Sequence, residues 1–338
     1  MKWLITGGAG FIGSAFTRLA LARSWADEVL VVDALTYAGN LANLRSVEND
    51  SRYGFLKADI CDRGVLESQL PGDIDAVFHF AAESHVDRSI EDASSFIRTN
   101  VMGTQCLLDW SLQHGVQRFV HVSTDEVYGS LELNTSERFS ESSPLEPTSP
   151  YAASKTASDH LALATHRTHG LDVVVTRCSN NYGPYQFPEK FIPLFVTNAI
   201  EGKTLPLYGD GLNVRDWIHV DDHAQGIYQA WERGQPGEVY NLGGECERAN
   251  KDIAEAIVES VGNGDSQIEY VTDRKAHDRR YAIDASKAKE KLGFEPGAPI
   301  EERMPEVVTW YRENTEWWSE IKSGQYREYY ARMYGDRV

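Results

Sequence analysis

Residues 2–16 read KWLITGGAGFIGSAF. The opening KWLIT has the apolar, β-branched character of a short buried strand, and the stretch from 12 to 24 is amphipathic and of helical length. Between them stand Gly7, Gly10 and Gly13, three residues apart. Glycines at this spacing allow a tight strand-to-helix turn. They also let backbone N–H groups approach a pyrophosphate at the helix N-terminus. A glycine pattern alone specifies little. Here it has a strand before it, a helix after it and an acid at the right distance, since Asp33 ends the run EVLVVD (28–33), twenty positions beyond Gly13. A carboxylate in that place accepts both ribose hydroxyls of NAD and repels the additional phosphate of NADP.

The alternation continues. AVFHFAA (76–82), RFVHVS (118–123) and DVVVTR (172–177) are further strand-like runs, and 96–114 is a further helix-like stretch. Alternating β and α elements with apolar strands predict an α/β fold, a Rossmann-type doubly wound parallel sheet covered on both faces. ELNTSERFSESSPLEPTSP (132–150) breaks the pattern and reads as a surface loop. After residue 183 turn residues, aromatics and charges mix, which predicts a smaller C-terminal substrate-binding lobe. The division expected is 1–183 plus 219–244 for the dinucleotide lobe, and 184–218 plus 245–338 for the smaller one. The aromatics of 310–334, from Trp310 to Tyr334, are read as packing onto the core.

The chain has 338 residues, 41% hydrophobic and 25% charged, with a formal net charge of −18. Such acidity argues against nucleic acid and against anionic membranes as partners, because both demand a basic patch. The four cysteines have neither CxxC nor metal-ligand spacing, which reads as reduced thiols in a cytoplasmic protein without a metal. No apolar run is long enough to span a bilayer, and the strand at the start leaves no room for a signal peptide.

SPYAASKTASDHLALA (149–164) places Tyr151 and Lys155 on one face of a helix. A phenol titrates near 10, and a neighbouring ammonium with a cationic nicotinamide would lower it to give a usable base. A YxxxK pair alone is common on helix surfaces. Combined with the glycine turn and Asp33, it resembles the extended short-chain dehydrogenase/reductase family over essentially the whole chain. The resemblance implies that Thr124, after the strand RFVHVS, completes the hydride-transfer site. It also places Phe11, Ile12, Thr36, Asp59, Ile60, Ala81 and Ala82 around NAD. Ala34 stands where the family commonly has Lys, which puts one contact to the adenosine half in question.

STDEVYG (123–129) adds Asp125 and Glu126. Epimerases of the family have small or neutral residues there, whereas its dTDP-glucose 4,6-dehydratases carry this acid pair. Oxidation at carbon 4 of the sugar acidifies the carbon 5 hydrogen. A carboxylate can then remove that hydrogen while a carboxylic acid protonates the hydroxyl leaving carbon 6. Two close acids push their pKa values apart, so one can be ionised and the other protonated. The residues alone do not say which is which. The resemblance makes Asp125 the acid and Glu126 the base. It further implies that Ser84, His85, Asn180, Asn181, Lys190, Tyr208, Arg215, Asn250, Arg274 and His277 bind the nucleotide sugar, with Cys246 and Lys275-Ala276 departing from the usual residues. A homodimer built on 96–114 and 151–169 follows from the resemblance as well. The alternatives are a 4-epimerase, or a dehydratase acting on a UDP sugar.

Overall fold

The structure, a computed structural model, describes residues 1–262, 267–273 and 277–323. Twelve strands occur among them: β1 Lys2–Thr6, β2 Glu28–Asp33, β3 Tyr53–Lys57, β4 Ala76–His79, β5 Arg118–Thr124, β6 Val173–Cys178, β7 Asn180–Tyr182, β8 Leu205–Tyr208, β9 Val214–His219, β10 Val239–Leu242, β11 Glu247–Ala249 and β12 Ile268–Val271. Seven of them form one sheet in the order β10-β6-β5-β4-β1-β2-β3, every pair parallel. The doubly wound sheet read from the sequence is present. Successive residues of a strand feed opposite faces. Trp3, Ile5, Val31, Val120 and Val122 pack on one face of the sheet, while Leu4, Val32, Val77, Phe119 and Val175 pack on the other.

The order of strands reverses between β1 and β4. The carboxyl ends of two such strands diverge and leave a crevice. Close approach at that crevice requires glycine. Gly7 has φ +70°, and a Cβ there would lie 2.5 Å from the Ala81 nitrogen that follows β4. A Cβ on Gly13 would lie 2.3 Å from the Gly7 carbonyl oxygen, so this position allows the helix Phe11–Ala22 to begin directly against the turn.

A second core gathers Ile192, Phe195, Trp217, Ile253, Ile257, Met304, Val307, Tyr311 and Trp318. Two small sheets accompany it, β11-β9-β7 and β12-β8. Between them the chain returns to the first core through the helix Val220–Arg233 and through β10, which pairs with β6. The helix Ser286–Leu292 also packs there, unlike the division drawn from the sequence. Ala288, Leu292 and Phe294 join the first core, and a Cβ on Gly226 would meet the Phe294 ring at 2.9 Å. The 132–150 stretch is irregular but pinned: Phe139 N donates to Ala282 O at 2.9 Å and Asn241 N donates to the Glu141 carboxylate at 2.8 Å.

Candidate active site

A cavity of about 480 Å³ lies at the carboxyl ends of β1, β4 and β5. Its first wall holds the proposed cofactor residues: Gly7, Gly10, Phe11, Ile12 and Gly13 from the turn, Asp33 and Thr36 after β2, Asp59 and Ile60 after β3, and Ala81 and Ala82 after β4. Asp33 is 8% exposed. Its carboxylate accepts from Ala9 N at 3.0 Å and from Leu35 N at 2.8 Å, so the acid and the glycine turn hold each other. Burial pushes its pKa up, and the two N–H donors oppose the shift. Side-chain-free turn, helix N-terminus and inward carboxylate together fit a dinucleotide.

The opposite wall holds the acid pair and the Tyr-Lys pair. β5 runs out at Thr124 into a 3₁₀ turn, Asp125–Tyr128. The Thr124 hydroxyl accepts from Glu126 N at 3.3 Å and caps that turn. Because one turn carries both acids, they reach the cavity side by side, and Thr124, Asp125, Glu126, Tyr151 and Lys155 all line it. The helix Pro150–His169 begins at Ser149, whose hydroxyl accepts from Ala152 N at 3.1 Å, with Pro150 at its first position. Tyr151 and Lys155 therefore face β5 from the first turns of the helix. Lys155 Nζ donates to the Val122 carbonyl at 2.8 Å, and burial pulls its pKa down to about 8.

Asp125 is 2% exposed. Burial drives its pKa well above the carboxylate range, Glu126 and Asp216 add repulsion, and Arg215 opposes them. One of its oxygens has no hydrogen-bond partner among the described residues. Burial and like-charged neighbours thus favour its protonated form. The Tyr151 phenol is raised well above its ordinary value of 10, chiefly by burial and then by the charge of Glu126, although a hydrogen bond with Thr124 opposes this; the lowering expected from the sequence draws on the nicotinamide charge as well as on Lys155. Lys155 shares the helix face, but its ammonium is engaged by a β5 carbonyl.

Of the substrate residues, Ser84, Asn180, Asn181 and Lys190 line the cavity. Lys190 Nζ reaches Ser84 O at 2.9 Å. Asn181 is turned inward: its amide donates to Ser179 O at 3.0 Å and its oxygen lies 2.8 Å from His223 Nδ1. The Asn180 side-chain oxygen is buried without a partner among the described residues. His85, Tyr208, Arg215, Asn250 and His277 lie outside the lining. His85 begins the helix Val86–Glu91, 3.8 Å from Glu189. Arg215 stacks 4.3 Å over the Tyr281 ring, donates to Asp278 O at 2.9 Å and still acts electrostatically on Asp125. The Tyr208 and His277 rings are 6.0 Å apart. Asn250 opens the helix Asn250–Val261. Arg274 and Lys275-Ala276 lie outside the described residues.

Several residues of the site were not anticipated. Tyr37, Asn40, Asn43, Arg98, Tyr185, Glu189 and Trp317 also line the cavity. Asn100 sits in a π turn, Ile97–Gly103, and its amide group bonds both backbone atoms of Glu83 and the Ser154 hydroxyl. A π turn often marks a functional position, but one inserted turn leaves no periodicity to read in a sequence.

The GDP-mannose 4,6 dehydratase family model matches residues 4–307. A dTDP-glucose 4,6-dehydratase of Actinoplanes sp. is 52% identical, across 94% of this chain and all of that protein. One from Neisseria meningitidis serogroup B is 48% identical, across 96% and 97%. Among solved structures, dTDP-glucose 4,6-dehydratase from Streptomyces venezuelae, with NAD and TYD bound, superposes with a TM-score of 0.91 at 54% identity, covering 95% of this chain and all of that one. UDP-glucose 4-epimerase from Thermotoga maritima, with UDP-glucose, reaches 0.85 at 31%, covering 93% and 100%. The chain belongs to the dTDP-glucose 4,6-dehydratase family, within the extended short-chain dehydrogenase/reductases.

Proposed function

We propose that the protein is an NAD-dependent hydro-lyase that converts dTDP-glucose to dTDP-4-keto-6-deoxyglucose. The observation that carries this reading is the buried, electrically strained Asp125 next to Glu126 and within one cavity of Tyr151 and Lys155. Hydride transfer alone has no use for two adjacent acids, whereas loss of water needs an acid and a base on neighbouring atoms.

The glycine turn and Asp33 hold the dinucleotide. Bound there, NAD would supply the acceptor and donor for the hydride that leaves carbon 4 and arrives at carbon 6, and a positive charge that favours ionisation of the Tyr151 phenol. Tyr151, ionised under that charge, with Thr124 hydrogen-bonded to it and Lys155 on the same helix face, takes the proton of the carbon 4 hydroxyl. The resulting ketone acidifies carbon 5. Glu126 removes that hydrogen as a proton, and Asp125 gives its proton to the departing carbon 6 hydroxyl, so water leaves. Glu126 returns a proton to carbon 5. Lys190, Asn180 and Ser84 receive the sugar and diphosphate, Arg215 and His277 close on the diphosphate, and Tyr208 lies near the base. The chain acts as a cytoplasmic homodimer. The helical stretch that would pair exposes Ile97 at 53% and Met102 at 58%, and all four cysteines are free thiols. No helix among the described residues is long and apolar enough to cross a membrane.

Mass spectrometry of dTDP-glucose incubated with the purified protein, without added cofactor, tests the reading. Loss of one water is expected. An unchanged mass with an isomerised sugar would make the protein an epimerase, and turnover of UDP-glucose alone would shift the substrate to a UDP sugar.

A further inference from the structure

The helix Thr315–Ser323 belongs by its packing to the second core, yet one of its side chains reaches the glycine turn. Trp317 packs half-buried against that core and also lines the cofactor cavity. Its indole Nε1 donates to the Asn43 side-chain oxygen at 2.9 Å, across 274 positions of sequence. Asn43 is 2% exposed, and its amide donates to Ala9 O, inside the glycine turn, at 2.9 Å. Ala9 N in turn donates to Asp33. A continuous run of hydrogen bonds thus joins the C-terminal helix to the turn and to the acid that would receive the ribose.

A second bridge lies beside the first. Arg18, on the helix that follows the glycine turn, donates to Asn43 O at 2.7 Å and places its guanidinium 4.3 Å over the Tyr185 ring. Tyr185 lines the cavity and meets Trp317 edge-on at 5.8 Å and Trp310 at 4.5 Å. It has φ +67°, a left-handed backbone that a bulky side chain adopts only when its surroundings hold it there.

We infer that Trp317 is a latch on the cofactor: with Asn43 and Tyr185 it closes the glycine-turn end of the cavity and sets how slowly NAD leaves. This rests on the dehydratase reading, in which NAD is regenerated at every turnover and gains nothing by dissociating. A dinucleotide leaving past the turn would have to part the indole from Asn43, and the second lobe from the first.

The test is the exchange of bound NAD for isotopically labelled NAD in the purified holoprotein, followed by mass spectrometry of the released cofactor. In parallel, dTDP affinity is measured by calorimetry. Trp317→Phe keeps an aromatic ring but loses the N–H, and should speed exchange by about fivefold, the worth of one neutral hydrogen bond. Trp317→Ala removes the wall and should speed it further. In both variants dTDP affinity should hold. Unchanged NAD exchange in both would overturn the latch. Equal loosening of NAD and dTDP would overturn it too, because it would mean that the second lobe had lost its packing. A wild-type protein that retains no NAD would instead sink the cofactor reading itself, and the latch with it.

Discussion

Two aspartates, Asp125 and Asp159, are almost equally buried, at 2% and 0% exposure, and behave in opposite ways. Asp159 lies one helical turn beyond Lys155. Burial pushes its pKa up, but the contacts with His121 and the charge of Arg177 outweigh burial and hold it at about 2. Arg177 Nε donates to it at 2.9 Å, and the same guanidinium donates to the Tyr128 hydroxyl at 2.9 Å. Asp125 has Glu126 and Asp216 for neighbours, and burial wins there. Burial by itself therefore does not set a carboxylate's charge; the sign of its partners does. The paired acid ties the Tyr151 helix to β6 and, through Tyr128, to the turn bearing Asp125 and Glu126. The acid set among like charges is biased toward its protonated form.

The largest effect should come from Asp125→Asn. Oxidation at carbon 4 should survive, seen as absorbance of reduced cofactor, while water loss falls by about 10²–10⁴, the usual worth of a positioned general acid. Glu126→Gln should likewise spare oxidation but stop exchange of the carbon 5 hydrogen with solvent. Wild-type dehydration in either variant would remove the chemical half of the contrast.

Next in size is Arg177→Met, which leaves Asp159 buried without its guanidinium partner. It should cost about 3–5 kcal/mol of stability in urea titration. Asp125→Asn should move the other way and gain stability at neutral pH, because the unfolded chain profits more than the folded one from ionising Asp125. Matching signs in these two variants would break the comparison.

Lys155 supplies a smaller, pH-dependent effect. Its pKa is about 8 when folded and 10.5 unfolded, so the unfolded chain binds the additional proton between those values. Stability should therefore rise with pH across that window, by up to about 1.4 kcal/mol per unit. Lys155→Met should flatten the slope. Asp159 gives a slope of the same sign in acid: its contribution is present above about 4 and is lost as pH falls toward 2. Smallest of all, Tyr128→Phe should cost about 1 kcal/mol and slow elimination more than oxidation, since it frees the acid turn from Arg177.

Much of the first lobe was legible because its signals are local. KWLIT, EVLVVD and RFVHVS are strands for the side chains they contain, and Gly7, Gly13 and Asp33 stand where one strand-turn-helix unit must put them. Tyr151 and Lys155 share a face because a helix repeats every 3.6 residues. The elements that went astray depend on distant partners. Ser286–Leu292 has too few apolar residues to declare which core it joins, and the tail aromatics gave no sign that Trp317 would face a cavity while Trp318 filled a core.

The doubly wound sheet, the glycine turn with Asp33 on schedule and the shared helix face of Tyr151 and Lys155 were legible in the sequence, since each follows from periodicity or spacing within a few dozen residues, whereas the nearness of the two acids to the Tyr-Lys pair was an implication of the family resemblance. Tertiary structure alone decided the charges. Asp125, Asp159 and Tyr151 are ordinary titratable groups in an extended chain, and their pKa values separate only when folding strips away water and selects their neighbours. It likewise decided that Trp317 would meet Asn43, because a hydrogen bond across 274 residues is specified by the packing of two cores and by no local pattern.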